Sequence, residues 1–240
     1  MKRTFLFLLS AVLLGAGLWS CDKENNNGDD NGDNGNGTTS VQWVDLGLPS
    51  GLLWADRNVG AESPEDYGNY YAWGETAPKE VYDWSTYAYG NDDHNLTKYS
   101  TDSYYGPNYS PNSFTDNLTT LEASDDAATV NIGGKARMPR DYEWQELKDN
   151  TTSTWTTQNG VYGCLLTGSN GKSIFLPAAG NRCESSLLNA GEYGIYWSGT
   201  LDMDNPSYAW YFIFGSGNQS MYYDYRVFGF SVRAVRDSQN

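Results

Sequence analysis

The sequence predicts an α+β fold built from short antiparallel strands and long loops, with one or two short helices. Short apolar or aromatic runs alternate with Gly, Asn, Asp and Ser turn residues through most of the chain. Helix signals, in contrast, are confined to a few short segments. The 240 residues include 9 Trp, 19 Tyr and 8 Phe, and disordered chains lack such an aromatic content.

Eight segments have the apolar pattern of strands, and turn residues separate most of them. They are Val41–Leu46, Leu52–Asn58, Gly160–Thr167, Ser173–Ala178, Gly194–Thr200, Tyr208–Phe214, Ser220–Tyr225 and Gly229–Val235. Both faces of Tyr208–Phe214 are apolar, which predicts a strand in the middle of a sheet. The stretch 82–117 is polar, Tyr-rich and without a clear period, so we expect long loops there.

Three segments carry helix signals. The stretch Ser63–Gly68 begins with Ser and Pro and continues with two acids, which predicts a short N-capped helix. Segment Pro139–Asp149 is the stronger prediction, because Trp144 and Leu147 share one face at i, i+3 spacing. A further helical turn is expected at Asp125–Ala128.

The first 40 residues are typical of an export signal followed by a tether. Lys2 and Arg3 precede an apolar run of 14 residues, Phe5–Leu18, which suits a signal peptide and is short for a membrane span. The next residues, ending in Ser20 and Cys21, resemble a bacterial lipobox. That resemblance implies removal of residues 1–20 and lipidation of Cys21; an ordinary cleaved signal peptide is the alternative.

Residues 21–40 are rich in Asn, Gly and Asp and hold no large apolar side chain, so they predict a flexible acidic linker. Residues 41–237 then form one domain. We expect a protein anchored in the outer membrane by the lipid on Cys21 and exposed at the cell surface. The chain has 30 acids against 15 bases, a net charge of -15, which argues against a nucleic-acid partner.

Catalytic motifs are missing from the sequence. His94 is the only histidine, it lies in a polar loop where we expect it to be exposed, and no G-x-S-x-G motif is present. The usual zinc-ligand pairs are lacking as well. We therefore predict a protein that is not an enzyme, with no catalytic residues. The alternative is a carbohydrate-active or modifying enzyme that uses acids the sequence does not single out.

Cofactor and cysteine chemistry give no positive motif either. Calcium would have its best ligands in the loop acids Asp125, Asp126, Asp202 and Asp204, but we expect these acids to be solvated and predict no metal. Cys164 and Cys183 are an even pair in an exported chain, which suits a disulfide. Two free, unreactive thiols are the open alternative, because the sequence does not give their separation.

Four segments together resemble a known family. They are Val44–Ala55, Ala136–Trp144, Phe175–Gly180 and Gly229–Val235. They are similar to the Fibrobacter succinogenes major paralogous domain group of exported, Bacteroides-type lipoproteins. More distantly they resemble the C-type-lectin-like fold, including its formylglycine-generating branch. The resemblance implies that the first and last strands pair and that the C-terminal segment lies on a ligand face.

Two departures from the pattern limit what the resemblance implies. Arg140 stands where these proteins have a Thr that caps the helix, so either the cap comes from elsewhere or the helix starts less cleanly. Cys164 and Cys183 lack the close spacing of the redox pair in the formylglycine-generating branch, so that activity is not carried over. The sugar-binding triplets of calcium-dependent lectins are also missing.

The C-terminal third predicts a binding face. Its Tyr, Asp, Ser, Asn and Arg are mixed between glycine-containing turns, a composition typical of paratopes, and Tyr and Trp stack well on sugar rings. The predicted ligand-binding residues are Trp197, Tyr208, Tyr222, Tyr223, Tyr225 and Arg226. We predict a lectin-like domain that binds a glycan or a protein ligand. The alternative is a structural or assembly component of the envelope that buries these aromatics at subunit contacts.

Overall fold

Residues 40–107 and 113–238 are described by a computed structural model of the chain. The predicted domain 41–237 falls almost entirely within these ranges. The predicted signal peptide, Cys21 and all but the last residue of the predicted linker lie outside them.

Most of the described secondary structure is strand. The strands are β1 (Trp43–Asp45), β2 (Leu53–Asn58), β3 (Tyr70–Tyr71), β4 (Thr151–Gln158), β5 (Val161–Gly168), β6 (Ser173–Pro177), β7 (Asn181–Cys183), β8 (Ser186–Leu188), β9 (Gly194–Leu201), β10 (Tyr208–Phe214), β11 (Gln219–Tyr225), β12 (Phe230–Ser231) and β13 (Arg233–Arg236). The helices are α1 (Ala127–Ile132) and α2 (Asp141–Asn150), with short 3₁₀ turns at Trp84–Thr86 and Ser103–Tyr105. The prediction of a loop-rich α+β fold is confirmed at this level.

The strands form four sheets. The largest has the order β11-β10-β9-β12-β3, and its pairs are antiparallel except for β12 beside β9. Two three-stranded sheets have the orders β1-β2-β13 and β4-β5-β6, and β7 and β8 form a hairpin. The prediction that Tyr208–Phe214 is an interior strand is confirmed, because β10 lies between β9 and β11.

The first and last strands share a sheet but do not pair, so that prediction was wrong. β2 lies between β1 and β13, and its Trp54 faces Val44 on one side and Val235 on the other. The side chain of Trp54 is fully buried. A strand whose residues are buried along most of its length gains more from the middle of a sheet than from its edge.

Helix α1 begins where the sequence predicts a helical turn. The carboxylate Oδ1 of Asp126 accepts the N–H groups of Ala128 and Thr129, each at 2.9 Å, which is an N-cap. The helix predicted at Ser63–Gly68 is not formed. There the carboxylate of Asp66 accepts the N–H of Ser63 at 2.8 Å, which closes a turn instead.

Helix α2 receives a side-chain acceptor at its N-terminus from another strand. The N–H of Asp141 donates to Thr200 Oγ1 at 3.2 Å, so a threonine of β9 serves the helix that starts after Arg140. Glu143 Oε2 accepts the N–H of Arg140 at 2.7 Å, and Arg137 holds the Glu143 carboxylate with both its terminal nitrogens. These contacts fix the start of α2 against β9.

The buried face of α2 covers part of the large sheet. Trp144 is fully buried, its ring stacks on Phe212 of β10 with centroids 5.0 Å apart, and its Nε1 donates to the carbonyl of Trp197 at 3.3 Å. Leu147, one turn on, is buried in the same cluster. The helix therefore lies against one end of the β10 strand.

Strand β4 is a strand that the sequence did not predict. Its residues, Thr151–Gln158, are mostly Thr and Ser, and the strand pairs with β5 along its full length. One edge of β4 is unpaired, and most of its side chains are exposed or half-buried. Apolar alternation is therefore absent, and β-branched Thr is the remaining strand signal.

Candidate functional site

The candidate site lies on the hairpin formed by β10 and β11. The two strands pair over seven residues, with Tyr208 opposite Tyr225, Trp210 opposite Tyr223 and Phe212 opposite Met221. Because successive side chains of a strand point to opposite faces, these six residues share one face of the sheet. β11 is an edge strand, so its outer side is not paired with another described strand.

One end of this face is covered. Phe212 and Phe214 are fully buried, and Met221 packs against the same core cluster. The ring of Trp144 from α2 lies on Phe212, and Trp155 of β4 meets Phe214 edge-on at 6.4 Å. This end of the hairpin belongs to the core.

The other end of the face is open, and we call Tyr208, Trp210, Tyr223 and Tyr225 the aromatic face. Their rings form a continuous series of contacts. Trp210 meets Tyr223 edge-on at 5.4 Å, Tyr223 stacks on Tyr208 at 5.7 Å, and Tyr208 meets Tyr225 edge-on at 4.7 Å. Tyr223 is 49% exposed, and the other three are half-buried. Rings that hold one another in place offer rigid contact area to a ligand.

The loop that follows β3 borders the aromatic face. The Tyr225 hydroxyl donates to Asp93 Oδ2 at 3.4 Å, and the ring of Trp84 meets Tyr225 edge-on at 5.9 Å. Hydrogen bonding to Tyr208, together with burial, raises the pKa of Tyr225. The phenol therefore stays neutral near pH 7 and keeps its hydrogen-bonding proton.

His94, predicted to be exposed, is half-buried beside this border. Its ring stacks on Tyr105 with centroids 5.0 Å apart, and its Nδ1 lies 2.8 Å from Asp93 Oδ1. Asp92, Asp93 and His94 are also the one group of potential metal-ligating side chains found among residues 40–107 and 113–238. Asp93 and His94 are already engaged with each other, so their contacts build the loop.

Tyr222 does not belong to the aromatic face. It lies opposite Tyr211, on the other side of the sheet, and is 56% exposed. Asp224 shares that side, where it is half-buried and where burial raises the pKa of its carboxyl. The predicted tyrosines therefore divide between two surfaces. The alternation of strand side chains could have shown this in the sequence, because Tyr222 and Tyr223 are neighbours.

Two of the predicted ligand-binding residues are in the core, which corrects that part of the prediction. Trp197 is fully buried, stacks on Phe230 at 4.1 Å and donates its Nε1–H to the carbonyl of Tyr71. Its side chain has no accessible surface, so solvent and ligand do not reach it. Sequence composition did not separate it from the exposed aromatics around it.

Arg226 is fully buried as well. Its guanidinium donates to the carbonyls of Lys98 and Tyr99, at 3.2 and 3.0 Å, and lies over the rings of Trp73 and Tyr87. Burial lowers its pKa. Arg226 thus ties the loop at residues 98–99 to the end of β11.

The acids expected to be solvated are mostly buried. Asp126 caps α1 and also accepts the N–H of Met138. Asp125 accepts Lys98 Nζ and the Tyr99 hydroxyl, each at 2.6 Å. Burial alone would raise the pKa of Asp125, but these hydrogen bonds outweigh it and lower the pKa. Protein donors therefore occupy the oxygens that the sequence offered to calcium.

The other two candidate calcium ligands, Asp202 and Asp204, differ in burial. Asp202 is buried and accepts the N–H of Asp204 at 3.1 Å, whereas Asp204 is exposed. The expectation of a solvated carboxylate therefore holds for Asp204 and was wrong for Asp202.

Both cysteines are free thiols in the structure, so the disulfide alternative is not formed. Cys164 is buried in β5, where its Sγ lies 2.7 Å from Ser153 Oγ. Cys183 is half-buried at the end of β7, in a separate sheet. Burial raises the pKa of both thiols, so neither is activated as a nucleophile.

Two further findings concern the membrane and related proteins. Over the described residues, no helix combines the length and apolar character needed to cross a membrane. No curated protein and no solved structure matches the chain. Residues 144–235 match the model of a family described as a domain of unknown function, DUF8237. The similarity runs from Trp144 of α2 to Val235 of β13 and so includes the whole β10–β11 hairpin.

Proposed function

We propose that this chain is a non-catalytic, lipid-anchored surface protein whose lectin-like domain binds a glycan through the aromatic face. The carrying observation is that Tyr208, Trp210, Tyr223 and Tyr225 form one series of ring contacts on a sheet face left open by α2. On the same face, the ring of Phe212 is instead covered by Trp144 of α2.

The chemistry of this face suits a sugar. Tyrosine and tryptophan rings supply flat apolar area for the C–H faces of a saccharide, and the phenol hydroxyls supply hydrogen bonds. A carboxylate borders these rings, because Asp93 Oδ2 accepts the hydroxyl of Tyr225 at 3.4 Å. Carboxylates accept hydrogen bonds from sugar hydroxyls and repel anions, so we propose a neutral glycan.

Sequence features supply the cellular part of the proposal. The lipobox ending at Cys21 and the acidic linker support export, lipidation and a position on the outer membrane, with the domain displayed at the cell surface. The C-type-lectin-like fold is proposed from the four segments that resemble the Fibrobacter group. The loop-rich α+β architecture with antiparallel sheets is compatible with it.

The test is a glycan array probed with the full-length chain and two single variants. Tyr223→Ala removes the most exposed ring of the aromatic face, while Tyr222→Ala removes an equally exposed ring from the neighbouring position on the opposite side of the sheet. We expect Tyr223→Ala to weaken binding about tenfold, because a lost ring contact is worth about 1.4 kcal/mol, and Tyr222→Ala to leave it unchanged.

The outcomes separate the alternatives. Equal losses in both variants would refute the placement of the site. The wild-type chain could instead bind no glycan but bind a surface protein, with the same dependence on Tyr223. That result would show that the ligand is a protein and that the aromatic face is still the binding site. Turnover of a polysaccharide by the purified chain would refute the non-catalytic assignment.

A further inference from the structure

A second, separate groove lies at the opposite end of the β10–β11 hairpin. The turn 215–218 joins the two strands there, and the hairpin of β4 and β5 rises beside it. A cleft of about 350 Å³ opens between this turn, residues 191–193 and the rings of Trp155 and Tyr162. A second cleft of about 360 Å³, lined by Ser153 and Gln219, shares Trp155 and the same turn. The two clefts therefore adjoin.

Three aromatic rings line the first cleft. Trp155 and Tyr162 lie diagonally across β4 and β5, with nearly parallel rings 6.1 Å apart and an interplanar angle of 12°. Tyr193 lines the cleft with them and lies close to the turn. A Cβ atom added at Gly215 would stand 3.1 Å from Tyr193 Cε1. Tyr162 is 52% exposed and Tyr193 39% exposed. Large rings left this open are uncovered contact area.

Polar side chains at the groove are available to bind a ligand. The side chains of Glu192 and Asn218 line the first cleft and make no hydrogen bond or ion pair to the described residues. Gln219 lines the second cleft, and an amide side chain can both donate and accept hydrogen bonds.

The charge at the groove selects between ligand classes. Neither cleft is lined by a Lys or Arg, and Glu192 is the one charged residue lining them, so an anion finds no partner there. Rings with free faces, carboxylate and amide acceptors, and no cation match a polyhydroxylated, uncharged ligand. Two adjoining clefts that meet at Trp155 match a ligand with repeating units.

We propose that this groove binds consecutive residues of a neutral, linear oligosaccharide. One sugar ring occupies the first cleft against Tyr162 and Tyr193, with its hydroxyls donating to Glu192 and Asn218. The chain passes Trp155, and the next unit lies in the second cleft beside Gln219. This site shares no residue with the aromatic face, so the two sites can be tested independently.

The test titrates the full-length chain with cellohexaose, xylohexaose, mannohexaose and maltohexaose by calorimetry. We expect at least one to bind, and expect Tyr162→Ala and Tyr193→Ala each to weaken that binding about tenfold. Tyr162→Phe should retain it, because the ring rather than the hydroxyl makes the contact. The matched control is Tyr142→Ala on α2, an exposed tyrosine outside both sites, which should bind as the wild type does.

Each result decides the question. Binding that survives both alanine variants, or no binding of any of the four hexasaccharides, overturns the proposal. Tyr223→Ala is included to keep the two sites apart: if it alone abolishes binding, the oligosaccharide sits on the aromatic face and the groove is not its site. Both groove tyrosines are partly exposed, so we expect the alanine variants to fold, and far-ultraviolet circular dichroism of each variant checks this.

Discussion

One face of the β10–β11 hairpin is covered at one end of the hairpin and open to solvent at the other. At the covered end, Phe212 lies beneath Trp144 of α2 and Phe214 meets Trp155 of β4, and both are fully buried. At the open end, Tyr208 and Tyr223 take their place on the same face. Phenylalanine has no polar tip, whereas a tyrosine hydroxyl needs water or a partner. The choice between the two residues along one strand therefore marks where the covering helix stops.

The largest expected effect comes from removing the side chain that covers the buried end of the hairpin. Trp144→Ala deletes the fully buried ring that stacks on Phe212, and we expect it to lower the free energy of unfolding by about 3–5 kcal/mol. Trp210→Ala removes the same side chain from the open end and should cost about 1 kcal/mol. Urea unfolding of the two variants measures the difference, and comparable losses would mean that the open end is packed as tightly as the covered one.

A second test asks whether Arg226 supports the open end or binds ligand. Arg226→Lys keeps the charge but loses the paired donation to the carbonyls of Lys98 and Tyr99 and the contact with the rings of Trp73 and Tyr87. We expect a loss of about 2 kcal/mol in the free energy of unfolding. A stability unchanged in denaturant, with glycan binding lost, would restore Arg226 to the binding residues.

The strands that the sequence predicts well are those whose own residues carry the signal. Segment Tyr208–Phe214 matches β10 at both ends, because its apolar faces decide its place without reference to the rest of the chain. The pairing of β2 with β13 depends on residues far apart in the sequence, and pattern alone does not fix it. The polar, Thr-rich β4 is stable as a strand because β5 pairs with it. The information that predicts β4 therefore lies in the sequence of β5.

The candidate site was predictable only in part, for a related reason. Composition singled out Tyr208, Tyr223 and Tyr225, whose rings lie in contact with one another in the structure. It did not distinguish them from Trp197 and Arg226, which lie in the same stretch of chain and are buried by distant elements. Burial is a tertiary property, so aromatic content predicts that rings are present and not which of them remain uncovered.

A third test exchanges the residues that mark the boundary. Phe212→Tyr places a hydroxyl in the apolar space beneath Trp144, and we expect it to cost about 1–3 kcal/mol of unfolding free energy. Tyr223→Phe removes a hydroxyl from an exposed ring and should change the stability by no more than about 0.5 kcal/mol. Thermal melts of the pair measure both, and a tolerated Phe212→Tyr would mean that water already reaches the covered end.

The last and smallest effect concerns the other side of the open end, where Asp224 points away from the aromatic face. Burial raises the pKa of Asp224 in the folded chain above its unfolded value, so the folded state binds the proton more tightly. Stability therefore falls as the pH rises from below about 3.9 through the folded pKa, and the ionised carboxylate is a cost at pH 7. Asp224→Asn keeps an oxygen that can accept the N–H of Tyr225 and removes the titration.

We accordingly expect Asp224→Asn to be more stable than the wild type at pH 7 and equal to it near pH 3, measured by urea unfolding at both values. A gap of the same size at both pH values would show that the substitution acts through packing and not through charge. A gap that vanishes at low pH would show that the substitution acts through the charge of the half-buried carboxylate.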